Sequence, residues 1–335
     1  MTSSRRLGGC TGCGLLRAGS TRWYGRYGPT VCTRAQSSLP IPQGSWDSHV
    51  HVIYDQKKYP LHPTHPYTPK IASFLALQSF HAKLHPHITH SVITSLSIYG
   101  NDNSCLLDVL RDLQKKDSGI RGVASIDPLT VSDAELQDMH EIGVRGVRLN
   151  LKSALVELSK AEFEKQLYQY ADRLKPLKKW ALQIHTDLPQ LALIADVIPK
   201  LGITVIIDHL AHPSVKKPAK EQNGYKDFLR LLARGEIYTK LSGMDRFPTL
   251  PLLDEYATEV VSVAPDRVVW ASDWPHTGGA TRNPDGDRKK VQDFRDVDDL
   301  AALTKAVEVY CKGDEDVVKK IWKDNAIELW DYSDT

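Results

Sequence analysis

The chain reads as one (β/α)8 barrel, α/β in class, carried behind a short segment of different composition. Three observations predict this. After residue 45, eight short runs rich in β-branched residues alternate with longer stretches of helical period. Strand–helix alternation implies right-handed βαβ units and a parallel sheet, and eight units in roughly 290 residues fit a barrel. The alternative, a doubly wound open sheet, usually carries a Gly-rich phosphate turn after its first strand, and none is present. The expected division is 1–44 as the foreign segment and 45–335 as the barrel.

The expected strands are WDSHVHV (46–52), SVITSLSIYG (91–100), IRGVASIDP (120–128), GVRGVRLN (143–150), WALQIHTD (180–187), ITVIIDHLA (203–211), EIYTKLSG (236–243) and RVVWASDWP (267–275). Helical patterns separate them at 69–84, 104–116, 160–175, 188–201, 225–235 and 252–264. SDAELQDMHEI adds a helix whose Ser132 and Glu135 have capping-box spacing. The end, 314–330, reads as one or two closing helices. The loop YPLHPTHPYTP (59–69) places proline every third residue, which favours a stiff polyproline II path. A rigid wall beside the barrel mouth is its expected role, with His62 and His65 at the surface.

Charge separates the two parts. Residues 1–46 hold six arginines, no lysine and no acid. Removing those six from 43 basic residues leaves 37 against 41 acidic ones, so the body is near −4. That argues against a nucleic-acid surface, which needs a basic face. The Arg-, Ser- and Gly-rich, acid-free start has the composition of a mitochondrial transit peptide, with cleavage expected between Arg26 and Ser45. Mitochondrial location is the expectation, cytoplasmic the alternative. Cys10 and Cys13 form an isolated CxxC in a Gly-rich stretch, read as chance, and with Cys32 they lie in the leading segment. The body keeps two distant cysteines, Cys105 and Cys311, as a reducing compartment allows. No stretch approaches the ~20 apolar residues of a membrane span. A monomer or homodimer is expected.

The active site of a barrel lies at the C-terminal ends of its strands. Polar residues collect at that end of nearly every strand: His49 and His51; Ser97, Tyr99 and Asn101; Arg148 and Asn150; His185; His209 and His212; Lys240, Ser242 and Arg246; Asp273 and His276. Ionisable residues in apolar strands are costly unless paired or used. On a strand, Asp47, His49 and His51 share one face, with Asp47 expected to orient the pair. His49, His51, His185 and Asp273 can converge on one point. Such a set can hold one divalent metal such as Zn2+. It can also polarise a carbonyl through histidines while Asp273 takes a proton from water. Either way the chemistry is attack of water on a carbonyl.

These residues carry a resemblance. HxH on the first strand and Asp on the last are similar to the amidohydrolase superfamily. SIYGNDN (97–103), RGVASIDP (121–128), GVRGVRLN (143–150), LQIHTD (182–187), IIDHLAHP (206–213), KLSGMDRF (240–247), WASDWPHT (270–277), NPDGD (283–287) and KDNAIELWDY (323–332) resemble the 2-pyrone-4,6-dicarboxylate lactonase group within it. The resemblance covers about residues 45–332. It implies hydrolysis of an anionic lactone without a metal. His49, His51 and His185 would bind and polarise the carbonyl, and Asp273 would be the general base. Arg148 and Arg246 would hold substrate carboxylates, as planar guanidinium groups do well, with Tyr99, Asn150 and His209 also at the substrate. If one metal is bound instead, the same His49, His51, His185 and Asp273 would hold it, in a decarboxylase or hydratase of an unsaturated dicarboxylate. Binuclear relatives bridge their metals from the fourth strand, where this chain has Arg148; a fixed cation there opposes a second metal. The Pro-rich loop is the feature least transferable from the group.

Overall fold

The computed structural model describes residues 38–114, 119–152 and 156–333. The leading segment as far as residue 37, with Cys10, Cys13 and Cys32, lies outside the described residues. Packing begins before residue 45. Leu39 and Ile41 are buried, and the Ile41 carbonyl hydrogen-bonds His87 Nδ1 at 2.6 Å.

All eight expected strands form. They are β1 (Ser45–Val50), β2 (Ile88–Thr94), β3 (Ile120–Ala124), β4 (Val144–Asn150), β5 (Ala181–His185), β6 (Thr204–Ile207), β7 (Tyr238–Leu241) and β8 (Val268–Trp270). They pair in chain order and all parallel. Seven helices follow the first seven strands: α1 (Phe74–Leu84), α2 (Ser104–Gln114), α3 (Asp133–Glu141), α4 (Lys160–Leu174), α5 (Leu188–Ile194), α6 (Tyr225–Ala233) and α7 (Leu253–Val263). The Ser132–Glu135 capping box at α3 is present, and Ser159 with Glu162 makes a second at α4. Each satisfies amide donors that a helix start leaves open. Among the described residues, no helix is long and apolar enough to cross a membrane.

Most strands end earlier than their sequence patterns do. The pattern at 91–100 yields a strand to Thr94 and then a single 3-10 turn, Ser97–Tyr99. The pattern at 203–211 stops at Ile207. His209, Leu210, Ala211 and His212 then adopt four consecutive left-handed conformations, with φ between 39° and 56°. Non-glycine residues avoid this region. Asp273, beyond β8, shares it at φ 65°. Strained backbone therefore marks the two segments that carry polar side chains over the barrel.

The floor of the barrel is apolar. Trp46, Val92, Val123, Ala181, Ile206, Tyr238 and Val269, one from each of seven strands, pack with Trp330. The eighth strand offers Gly146, where a Cβ would lie 2.6 Å from the Ala181 carbonyl oxygen. Burying each large side chain there contributes about 1.5–3 kcal/mol. Trp330 is held at this depth by its indole N–H, which donates to Ser48 Oγ at 3.1 Å, and by Arg121, whose Nε donates to its carbonyl. The C-terminal segment thus plugs the end opposite the chemistry.

The barrel closes through site-bearing chain rather than a ladder. Asp273 N–H donates to the His49 carbonyl at 3.0 Å, and His51 N–H to the Trp274 carbonyl at 2.9 Å. Asp47 strengthens this seam, and here the expected shared face fails. The β1–β2 register shifts between Asp47 and Val50, so strict alternation is broken. His49 turns inward. Asp47 turns out toward α1, where His81 Nε2 lies 3.0 Å from Oδ2. Asp47 also accepts the N–H of Ser272 at 2.9 Å and its hydroxyl at 2.5 Å. It orients the strand rather than the imidazoles.

The Pro-rich loop packs against the segment after β8, and a turn at His62–His65 interrupts the expected polyproline II path. Tyr67 is buried, with its hydroxyl on Thr277 Oγ1, and Thr68–Pro69 pairs with Val291–Gln292. Arg288 reaches the carbonyls of Pro63 and His65. His62 is exposed and His65 half-buried.

Replacing Asp47 with Ala strands both half-buried Ser272 donors and His81. We expect a loss of roughly 3 kcal/mol, since each stranded group costs about 1–3. Urea unfolding of Asp47→Ala within 0.5 kcal/mol of wild type, on the order of an ordinary surface change, would remove Asp47 from the seam.

Candidate active site

Above the apolar floor the barrel interior becomes charged. Alternation along β5, β6 and β7 sends Gln183, Asp208 and Lys240 inward one step above Ala181, Ile206 and Tyr238. All three are fully buried. Lys240 Nζ donates to Gln183 Oε1 at 2.6 Å and to His49 Nδ1 at 3.0 Å, and lies 3.5 Å from Asp208 Oδ1. Gln183 Nε2 donates to Asp208 Oδ2 at 2.9 Å. Arg148, from β4, places Nε and Nη2 each 3.2 Å from that oxygen. One carboxylate thus serves two buried cations. Burial works against ionising Asp208, but Lys240 and Arg148 outweigh it and hold its pKa well below the usual carboxylate range. Burial lowers the Lys240 ammonium to about 8, with Asp208 partly offsetting.

The next layer holds the histidines and Asp273. Arg246 donates through Nε to Asp273 Oδ2 at 2.7 Å and again through Nη2. The other oxygen, Oδ1, is buried without a hydrogen-bond partner. Three imidazole nitrogens ring it: His51 Nε2 at 3.7 Å, His49 Nε2 at 3.8 Å and His209 Nε2 at 4.0 Å. His209 is steadied by Ser242 Oγ at 2.8 Å from Nδ1. Burial holds His49, His51, His185, His209 and His212 below the usual histidine range, His51 and His212 to about 3; nearby cations add to the shift. All five are neutral at pH 7.

The structure brings His49, His51 and Asp273 together as expected, and adds His209. His185 stands one step aside. Its ring is 5.1 Å from that of His209, and its Nδ1 lies 3.3 Å from Arg148 Nη2 and 3.1 Å from Asn150 Oδ1. Arg148 and Arg246 are both engaged by buried carboxylates rather than standing alone. Tyr99 is not at the site: the 3-10 turn carries its ring down against Cys105 and Tyr54. Ser97 faces the cleft instead. That cleft, 170 Å3 between Ser95, Ser97, Asn101, Ser125, Arg148 and Asn150, opens beside the Arg148 guanidinium. A larger cavity of 630 Å3 lies at the opposite end of the strands, near Trp180 and Arg267, away from every one of these groups. Sequence reasoning passed over Asp208 and Gln183 and gave Lys240 no role. For Gln183 and Lys240 the available signal was their position two residues before other polar residues of the site, His185 and Ser242; Asp208 has only apolar residues, Ile206 and Leu210, at that spacing.

The donor set fits one divalent cation. The ligand atoms of His49, His51 and Asp273 lie within 4.8 Å of one another, with 3.2 Å between the two Nε2 atoms. A tetrahedral ion with ~2.1 Å bonds separates its ligands by ~3.4 Å. His49, Asp208 and His209 form a second group of this kind. Lys240 Nζ already sits between His49 and Asp208, so an ammonium occupies the neighbourhood a second cation would need.

The comparisons with known proteins agree with this geometry. The model of the amidohydrolase family matches residues 46–332. The chain belongs to the amidohydrolase family. It is 30% identical over 264 residues to the 2-pyrone-4,6-dicarboxylate hydrolase of Comamonas testosteroni, covering 75% of this chain and 83% of that one. It is 31% identical over 246 residues to the 4-sulfomuconolactone hydrolase of Hydrogenophaga intermedia, covering 71% and 77%. Among solved structures it is similar to a probable 2-pyrone-4,6-dicarboxylic acid hydrolase of Acinetobacter baumannii, at a TM-score of 0.66 and 22% identity over 87% of this chain and all of that one. This last likeness carries the barrel fold. Members of the superfamily typically use a metal, and this chain has His and Asp groups able to take one.

The buried neutral histidines make the metal-free fold sensitive to acid. Their folded pKa values lie below the unfolded value near 6.5, so the unfolded chain binds more protons. The stability they contribute is complete above about pH 6.5 and is lost as pH falls toward their folded values. Chelator-treated protein should lose several kcal/mol between pH 7 and 5, on the order of 1–2 per histidine. Equal urea midpoints at the two pH values would show that these imidazoles are not buried neutral.

Proposed function

We propose that the protein is a lactone hydrolase acting on a small anionic substrate, of the 2-pyrone-4,6-dicarboxylate kind. The observation that carries this is Asp273 Oδ1, a buried carboxylate oxygen left without a hydrogen bond and ringed by imidazoles. A buried acceptor is costly to leave unpaired, and this one has the company a hydrolytic water needs.

Arg246 fixes Asp273 through Oδ2, so Oδ1 points at the water. As water attacks the lactone carbonyl, Asp273 takes one of its protons. His49 Nε2–H donates to the carbonyl oxygen as negative charge builds there, in a site that excludes solvent. His51 presents a bare Nε2, since its Nδ1–H is spent on the Thr94 carbonyl at 2.7 Å; it accepts a hydrogen bond from the water rather than polarising the carbonyl. Collapse of the tetrahedral intermediate breaks the ring C–O bond. Asp273 then returns its proton to the departing ring oxygen, leaving an open acid.

Charge selects the substrate. Arg148, Lys240 and Arg246 face only Asp208 and Asp273 within this group, an excess of one positive charge with the histidines neutral. A substrate carboxylate entering the cleft beside Arg148 meets that excess and the Ser97 and Ser125 hydroxyls. A metal, if bound, would be held by His49, His51 and Asp273 and would polarise the carbonyl and acidify water. We favour a metal-independent reaction, on the strength of the cations already inside the barrel. We further propose mitochondrial import, on the acid-free, Arg-rich composition of residues 1–44; a fluorescent protein carrying that segment should enter mitochondria, and diffuse cytoplasmic signal would refute it.

The test is the ultraviolet absorbance of 2-pyrone-4,6-dicarboxylate with the chelator-treated full chain. Wild type should open the ring, and Asp273→Asn should be slower by roughly 10²–10⁴-fold, the worth of a general base. Turnover by Asp273→Asn at the wild-type rate would remove it as the base. Activity lost on chelation and restored by Zn2+ would transfer the reaction to the single-metal reading.

A further inference from the structure

The mechanism above uses Lys240 only for its charge. Lys240 is wholly inside the barrel, yet it touches no space a substrate can enter. What it touches is His49, on the ring nitrogen facing away from the reacting centre.

The hydrogen-bond partners around Lys240 allow one assignment of protons. Gln183 gives its amide N–H to Asp208 Oδ2 at 2.9 Å, so its carbonyl oxygen faces Lys240 at 2.6 Å. An ammonium has three donors and no acceptor. Its three neighbours are Gln183 Oε1, Asp208 Oδ1 at 3.5 Å and His49 Nδ1 at 3.0 Å. The remaining polar atom near His49 Nδ1 on that side, Gln183 Nε2 at 3.5 Å, is also a donor. Asp208 Oδ1, at 3.6 Å, is beyond hydrogen-bond reach of it. Nδ1 of His49 is therefore an acceptor, and its ring proton sits on Nε2. His51 has the opposite arrangement, because the Thr94 carbonyl requires a proton on its Nδ1. The two rings then agree: His49 Nε2–H faces the bare His51 Nε2 at 3.2 Å.

This matters for the choice between two chemistries. A histidine that ligates a metal through Nε2 must leave that nitrogen bare, and it donates its other N–H to an acceptor. His51 satisfies that requirement. His49 does not, because the group behind it is a donor.

We propose that Lys240 is a positioning residue that fixes His49 as its Nε2–H tautomer, making it a hydrogen-bond donor to the substrate carbonyl and weakening it as a metal ligand. The proposal rests on the lactonase reading for the carbonyl, but the tautomer and the metal preference are properties of the free enzyme.

The experiment uses the full chain with 15N-labelled histidine, treated with chelator and without substrate. Long-range proton–nitrogen correlation spectra report which ring nitrogen carries the proton, with His49 assigned through His49→Gln. We expect a protonated Nε2 and a bare Nδ1; a protonated Nδ1 on His49 would overturn the proposal. Co2+ is then titrated, read by its d–d absorption. Lys240→Met should bind it at least tenfold more tightly than wild type, while Lys240→Arg, which keeps a donor at Nδ1, should stay close to wild type. Unchanged or weaker binding by a folded Lys240→Met would also overturn it. If that variant fails to fold, the wild-type spectrum decides alone. Failure of the lactonase reading shows separately, as a stable pyrone absorbance alongside the Nε2–H spectrum.

Discussion

The interior of this barrel depends on one carboxylate. Asp208 lies at the centre of the strands with Arg148 and Lys240 on it and Gln183 bridging. Neither buried cation could stay charged without such a partner, since an unpaired buried charge costs several kcal/mol. Each cation in turn governs a histidine. Arg148 meets His185 and Lys240 meets His49, both at Nδ1. At His49 the middle layer thus sets which nitrogen of an imidazole in the layer above carries the proton. The site is built on a charged foundation, and that foundation rests on an apolar floor closed by Trp330.

The seam between β1 and the segment after β8 shows how fold and site share residues. A barrel must join its last strand to its first. Here the joining hydrogen bonds come from His49, His51, Asp273 and Trp274 backbones, beside the side chains that face substrate. Asp47 reinforces the same junction from outside through Ser272. Placing Asp273 correctly and closing the barrel are one structural event. This explains why its left-handed backbone is tolerated: the strain is held by bonds the fold needs in any case.

Much of this was legible in the sequence, and the limits have physical causes. The eight strands were readable because β-branched runs and helical period alternate without ambiguity. The convergence of His49, His51 and Asp273 followed from the end of the barrel on which they had to lie. Asp47 was misplaced because a register shift inside β1 broke the two-residue period, and no composition cue marks such a shift. Tyr99 was misplaced because a strand pattern continued into a turn. Asp208 and Lys240 look in sequence like neighbours of better-known residues. Their importance lies in pairing across 32 positions of chain, which spacing along one strand cannot show.

The two arginines expected to grip substrate turned out to be held by Asp208 and Asp273, and this changes how selectivity for an anion must work. A guanidinium already paired has little to gain from a second carboxylate if it must break the first pair. Arg148 need not break it. Its contacts with Asp208 use Nε and Nη2 toward the barrel centre, while its cleft side borders Ser97, Ser125 and Asn150. The excess of one positive charge then acts as a field over a small polar cleft rather than as a single clamp. Removing solvent strengthens that field, and an anion that fills the cleft removes the solvent. Binding an anion and preparing the carbonyl for attack are therefore coupled through the same buried cations, with Asp208 keeping them in place.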